Sequence, residues 1–551
     1  MADPHGNSAA CSPEPPSPWL KLLPELFQYI ARELRPNEAA CSLRLVNKAA
    51  AEALRGPQHT TVRLSQPVPP HAFASKWGAR GSTHGLSLKQ RTQLLCLTAS
   101  TGVQPNLELA LAVAGCLLRA EVLQAAAAAG QLATCELLLG LGCPRDGALA
   151  AAARAGRRDV VEWLLARGVG AAAGGGSDGR AVAGAGHEEL FEAALAAARG
   201  GHVGLMEWLL EAVPLQRGTK TRWSVLEAAA EGCDLATLQR LEAWSEAMGG
   251  LGVAWAGGLG RFDRSCRVGN DAHGARILAA AAASPTRDWQ AKVTWLRSVG
   301  YPKLTAACDA AAARTDAPER LAALQELGFH VLPRTAVAAA RAGNLAGLRY
   351  LRERSVRLDG AVVAGAEAGS QDVLVWLVED AFAVGQQGEA VLQSGGLAEA
   401  AARSGSLDLL RWLAERGLVP AAELLSGRTF AGAADAGDAA ALEWLAERGC
   451  AMPADGSPYR APCAKGDLAT LRCLQRLGCP WGRAGSVFGA AVWDKGGPAV
   501  LRWLLEAGCP VEAAEVESLL RRAGVAGAEE LLALLAQQRA EAGERGSEAT
   551  E

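Results

Sequence analysis

The sequence predicts an all-α chain: a solenoid of stacked helix–turn–helix repeats behind a small N-terminal helical module. Three observations carry this. Self-similar segments of about thirty residues recur along most of the chain, many with two glycines at a fixed spacing. The aromatic residues are 15 Trp against 4 Tyr and 8 Phe, the skew expected where one packing position recurs. The 551 residues exceed the roughly 250–300 at which one core stops growing, whereas a repeat array lengthens freely.

Residues 1–18 read as a disordered Pro-rich arm. With no basic segment, apolar run or Arg, the arm matches neither a secretory signal nor a transit peptide. Residues 19–56 (WLKLLPELFQYIARELRPNEAACSLRLVNKAAAEALRG) depart from the repeat. Pro24 suits a first helical turn, and Leu26, Ile30 and Leu34 share a face at i, i+4 and i+8. Pro36-Asn37-Glu38 punctuates, and a second amphipathic stretch carries Leu43, Val46 and Leu54. This stretch resembles the F-box, which runs L-P-x-E-L, then Ile, Leu, a Pro-x-Asp turn and a Val-Cys-Lys-x-Trp ending. Glu25, Leu26, Ile30, Leu34, Pro36, Glu38 and Val46-x-Lys48 follow in the corresponding order. Two departures stand out: Pro24 directly precedes Glu25, one place late, and Ala50 replaces the final Trp. The resemblance implies that Pro24, Glu25, Leu26, Ile30, Leu34, Pro36 and Val46 dock a Skp1-type adaptor. Without it, the same helices read as a cap over the first repeat, which a solenoid needs.

Residues 57–94 are Pro-rich and read as a linker with at most one strand. From 95 to 535 the repeat takes over, for about 12–14 units. Aligning 151-AAARAGRRDVVEWLLARG-168 with 400-AAARSGSLDLLRWLAERG-417 and 491-AVWDKGGPAVLRWLLEAGCP-510 gives A-A-x-x-G, an apolar stretch, W-L, then G or G-C-P. The first Gly falls at 130, 156, 201, 343, 369, 405, 437, 466 and 496, and a second follows at 142, 168, 417, 449, 478 and 508. Trp163, Trp208, Trp376, Trp412, Trp444 and Trp503 each lie seven residues after a first Gly, with Tyr350 and Cys473 in the same slot. In one unit Leu409, Leu410, Trp412 and Leu413 make a single apolar stripe on a helix. Each Gly suits a left-handed C-cap, and the Pro after G-C stops the second helix. A unit is therefore a small-residue helix, a tight turn, a Trp-Leu helix and an extended loop. No unit can bury its Trp-Leu face alone, so the units stack.

This pattern resembles the ankyrin repeat, whose core reads A-A-x-x-G-H-x-E-V-V-x-x-L-L-x-x-G-A. Gly156 to Gly168 matches it, and Gly201-His202-Val203 keeps the Gly-His. The departures are the missing T-P-L-H turn, Trp-Leu for Leu-Leu, and G-C-P for G-A-D. A HEAT-like two-helix repeat is the structural alternative, with longer units. Insertions interrupt the array near 171–187, 246–275 and 384–396, and residues 536–551 read as a disordered tail.

Composition narrows the function. With Lys+Arg 55, Asp+Glu 58 and a net charge of −3, nothing in the bulk charge favours nucleic acid or an anionic membrane. The longest apolar run, Leu109 to Leu118, is about half of a membrane span. The 14 Cys are dispersed and read as reduced thiols of a cytoplasmic or nuclear protein. Cys143, Cys450, Cys479 and Cys509 recur once per unit, as a packing residue would, and no metal site is expected. Gly175-Gly176-Ser177-Asp178-Gly179 has the G-x-S-x-G spacing but lacks the strand that motif requires. His187-Glu188 begins like a zinc motif, but Phe191 occupies the second ligand position. Gly218-Thr219-Lys220-Thr221 lacks the first Gly of a phosphate loop. No catalytic, cofactor-binding or metal-binding residue is expected.

The sequence points to a non-enzymatic interaction protein that uses an unidentified protein partner on the repeats and, by the F-box resemblance, a Skp1–cullin-type ubiquitin ligase through the N-terminal module. The alternatives are a plain scaffold whose N-terminal helices only cap the solenoid, and an enzyme with Cys266, Asp271 and His273 in the 246–275 insertion.

Overall fold

In the computed structural model, residues 22–168, 179–212, 219–249, 267–358, 360–381, 396–525 and 527–537 are described. Among them every regular element is helical, as the repeat pattern predicts. The N-terminal module consists of α1 (Pro24–Glu33), α2 (Pro36–Cys41), a 3-10 turn (Leu43–Leu45) and α3 (Lys48–Ala53). The break between α1 and α2 falls at Leu34 and Arg35, just before Pro36, which occupies the first turn of α2, where its missing N–H costs nothing. Phe27, Ala31, Ala39, Leu43, Ala50 and Leu54 form a core separate from that of the array.

The stretch expected to be a linker is helical and carries no strand. Pro57 and Pro70 open α4 (Pro57–Thr60) and α5 (Pro70–Trp77), and Ser87 opens α6 (Leu88–Thr101) by a capping box with Gln90. Together α6 and α7 (Gln104–Ala114) make the first unit, so the array begins at Leu88 rather than 95. Fourteen first helices follow one another among the described residues, from α6 to Ala513–Ala523.

The turns follow the predicted glycines. Gly130, Gly156, Gly201, Gly343, Gly369, Gly405, Gly437 and Gly466 all have φ between 67° and 79°. The left-handed residue of the 496 turn is instead Lys495, at φ 57°. At Gly156 a Cβ would also lie 2.4 Å from the ring of His202, the turn residue of the next unit, so neighbouring turns leave no room for a side chain.

The insertions are shorter than expected. Helix Gly179–Arg199 starts inside 171–187, and helices Leu235–Gly249 and Arg267–Ala282 take up both ends of 246–275. Trp255, Phe262 and Cys266, most of 384–396, the 1–18 arm and the tail from residue 538 lie outside the described residues.

Consecutive first helices lie against one another throughout, while consecutive second helices meet at fewer places, such as Ala317–Glu326 on Leu345–Glu353. The first helices therefore occupy the inside of the curve. Arg154 shows how tight it is: from the third unit it reaches Glu231 of the fifth at 2.9 Å, past the fourth.

The curvature brings the array back onto itself. The start of α6 and the end of α7 sit on the turns of units ten to twelve. A Cβ at Gly405 would meet Ser87, and one at Gly437 would meet Leu88. Leu117 N donates to Gly466 O at 3.0 Å, and Ala469 N donates to Gly115 O at 2.8 Å. At the centre lies Arg91, 2% exposed. Its Nη1 donates to Ala114 O and Asp467 Oδ1, each at 2.9 Å. Its Nη2 donates to Asp467 Oδ2 at 2.8 Å and Gly437 O at 3.0 Å. With Nε on Leu86 O at 3.2 Å, all five guanidinium N–H groups are used.

Candidate functional site

Of the residues assigned to adaptor docking, Pro24, Glu25, Leu26, Pro36 and Val46 are exposed, while Ile30 and Leu34 are half-buried. The reason lies in the pitch of α1. Phe27, Ala31 and Leu34, at i, i+4 and i+7, form the stripe that packs into the module core. Ile30, half-buried, packs against that core as well, while Leu26 and Tyr29 lie outside it. The expected single face Leu26–Ile30–Leu34 is thus divided: Leu26 faces outward, and the other two pack inward. Leu26 is 43% exposed, Tyr29 63%, and Leu23, at the helix cap, 64%. On the 3-10 turn and its end, Leu45 and Val46 are also exposed. Leu23, Tyr29 and Leu45 escaped the sequence reading; the signal for Tyr29 was its place three residues after Leu26.

The module is mounted firmly. Asn37, fully buried, donates through Nδ2 to Arg63 O at 2.8 Å and to Gln66 O and Pro67 O at 3.1 Å. Its Oδ1 accepts from Arg63 N at 2.9 Å. Buried Asn106 of α7 donates to Val68 O at 2.8 Å. The two amides grip the 63–68 segment from the module side and the array side. The segment makes one turn of its own, Gln66 N donating to Arg63 O at 3.1 Å, and the two side chains bond its following carbonyls, Gln66 O, Pro67 O and Val68 O. Phe73 of α5 and Val68 belong to the array core, so α5 and this segment, not α1–α3, close the end of the first unit.

The second surface is the inner face. Several of its cations are paired with carboxylates of adjacent first helices: Arg276 with Glu227 at 2.9 Å, Arg334 with Asp309 at 2.8 Å, and Arg341 with Glu367 at 3.6 Å. Lys465 pairs with Asp435 in the same manner. Between the pairs lie small residues, mostly Ala.

The recurring Trp are structural. Trp376, Trp444 and Trp503 are buried, and Trp163, Trp208 and Trp412 half-buried. Arginines cover several rings: Arg448 lies 4.1 Å from the Trp444 centroid, and Arg158 lies 4.9 Å from that of Trp208 in the next unit. The G-C-P cysteines are structural too. Cys143 Sγ donates to Arg119 O and Cys450 Sγ to Ser426 O, both at 3.4 Å, tying each second helix to the cap of its own first helix. Burial pushes Cys143, Cys450 and Cys509 up to about 11 and Cys479 to about 12, so these thiols stay protonated and unreactive at neutral pH.

Three turns have no left-handed residue at all, and here the structure uses polar side chains that the sequence reading missed. Lys292, fully buried, donates to Ala230 O, Cys233 O and Ser284 Oγ, and burial lowers its pKa. Arg320 donates to Ala282 O at 2.6 Å, and Asn344 to Ala312 O at 3.1 Å. Each comes from the second helix of the following unit, or its cap, and covers the open carbonyls at the end of a first helix. In a single sequence these residues look like ordinary surface polar positions.

His187 lies within helix Gly179–Arg199, and Thr219 opens helix Thr219–Gly232. Residues 175–178 and Gly218 fall outside the described residues. Among the described residues no group of three His, Cys, Asp or Glu is placed to hold a metal, and no helix is long and apolar enough to cross a membrane.

No protein-family model matches the chain, and no curated protein sequence matches it. Among solved structures, the pentatricopeptide repeat protein PPR10 from maize aligns over 94% of this chain and 88% of its own. The identity is 15% and the TM-score 0.19, a score at which the two chains do not superpose as wholes.

Proposed function

We propose that this chain is a non-catalytic recognition subunit. Its F-box-like N-terminal module docks a Skp1-type adaptor of a cullin ubiquitin ligase, and its degenerate ankyrin-like array holds the protein to be modified. The observation that carries this reading is the exposed apolar stripe Leu23, Leu26 and Tyr29 on a helix whose other stripe is already used by the module core. Isolated exposed apolar residues are ordinary, but a contiguous group is a mark of an interaction site. The alternative, a cap with no adaptor, is disfavoured by the division of labour at the array's end. There α5 and the 63–68 segment cover the first unit, while α1–α3 keep a core of their own. The rigid mounting through Asn37 and Asn106 suits a receptor, which works by holding its cargo at a set distance from a catalytic subunit.

The test is capture of the full-length chain by a purified Skp1-type adaptor, with Leu26→Asp and Tyr29→Asp alongside. Both residues are exposed, so the variants fold, and binding falls at least tenfold in each. A folded wild-type chain that fails to bind at micromolar adaptor reduces the module to an accessory of the scaffold.

A further inference from the structure

We infer that the clasp at Arg91 turns the inner face of the array into the wall of a lumen that admits an extended polypeptide and excludes a folded domain. The inference rests on the reading that this face receives a protein. The first unit sits on the turns of units ten to twelve, so one superhelical turn takes about ten units. Packed helices stand about 8–10 Å apart, which gives a ring of first-helix axes about 25–32 Å across. Removing a helix radius of about 5–6 Å on each side leaves a lumen of about 15–20 Å. An extended strand or a single helix fits that width. A domain of 100 residues, with a radius of gyration of about 13 Å, does not.

The wall fits such an occupant in its chemistry as well. Arg276, Arg334, Arg341 and Lys465 each face a carboxylate of a neighbouring unit, so the lumen carries both signs of charge in alternation. Such a wall has no net field to concentrate a polyanion. It matches a polypeptide segment bearing charges of both signs, which can exchange ion pairs with the wall as it threads. The clasp decides access: with Arg91 seated on Asp467 and Gly437, entry is from the ends of the superhelix rather than its side.

The test uses a thiol inside the lumen. Ala338 lies between Arg334 and Arg341 at i+4 and i+7 on the inner face of helix Pro333–Arg341. With Cys11, Cys96, Cys116 and Cys266 changed to Ser, the remaining native thiols are buried, and Ala338→Cys is the one reporter. The full-length protein is treated with two maleimides, one on a short unstructured peptide and one on a folded domain of about 100 residues. The peptide labels fully, and the domain at least tenfold more slowly. In an added Arg91→Met variant, folded by circular dichroism, the domain's rate rises toward the peptide's. Equal labelling by both reagents with Arg91 intact overturns the inference. So does refusal of the peptide by a protein that N-ethylmaleimide does label. Neither outcome touches adaptor capture by the N-terminal module, so the two readings fail separately.

Discussion

Ser355 occupies the second-glycine position of its unit, twelve residues after Gly343, and holds φ 58°. A residue with a Cβ pays about 1 kcal/mol there, which Gly does not. Ser355→Gly is therefore expected to stabilise the array by about 0.5–1 kcal/mol in denaturant unfolding, and Ser355→Ala to change little. Asp438 makes a different case. It caps helix Ala439–Glu447 through Ala441 N at 3.0 Å, and burial raises its pKa. A raised carboxyl favours the folded state when protonated, so its contribution is complete below the unfolded value of 3.8 and is lost as pH rises through the folded value. Asp438→Asn keeps the cap and removes the buried charge. Its melting temperature should exceed wild type at pH 7, with the difference vanishing near pH 3. An Asn variant less stable at neutral pH would show that the charge, through Arg91 and His84 nearby, is worth more than its burial costs.

At the scale of elements, the repeat was legible because two constraints acted on every copy. The left-handed turn selects Gly, and the contact between units selects Trp or Tyr seven residues on. Where a unit satisfied its turn differently, as Lys292, Arg320 and Asn344 do for their predecessors, the periodic signal vanished although the helices remained. The N-terminal module was legible as helices but not in its faces, because two adjacent apolar stripes on α1 merge into one in a spacing argument. The helices of 57–94 were hidden by their prolines, which read as loop signals but stand in first turns. The grip on the 63–68 segment left no trace in the sequence either, since a buried Asn in P-N-E reads as a turn former. Asn37→Ala strips four hydrogen bonds from that segment. Limited proteolysis should then cut between residues 61 and 68 at least tenfold faster, while cleavage inside the array is unchanged. Uniform acceleration would place the effect in global stability instead.

At the scale of the whole molecule, the ion pair of Arg91 and Asp467 joins residues 376 apart in sequence. No local pattern announces such a contact, and Arg91 in α6 looks like a solvent-facing helix position. Both side chains are almost wholly buried, so removing one strands the other, at a cost of about 3–5 kcal/mol. Arg91→Lys should lose most of this as well, because an ammonium supplies three donors where five are used. The mounted module and the closed superhelix together make the protein a rigid frame, and this ion pair is the buried centre of the contact across the turn. The measurement that tests it most directly is small-angle X-ray scattering from the monodisperse full-length chain and its Arg91→Met variant. A compact chain of this length has a radius of gyration of about 24 Å. Fourteen units laid in a straight stack at about 10 Å each have one of about 40 Å. The closed superhelix predicts a wild-type value of about 25–30 Å that grows by several ångströms in Arg91→Met. A wild-type value near 40 Å, or one that Arg91→Met leaves unchanged, would contradict it.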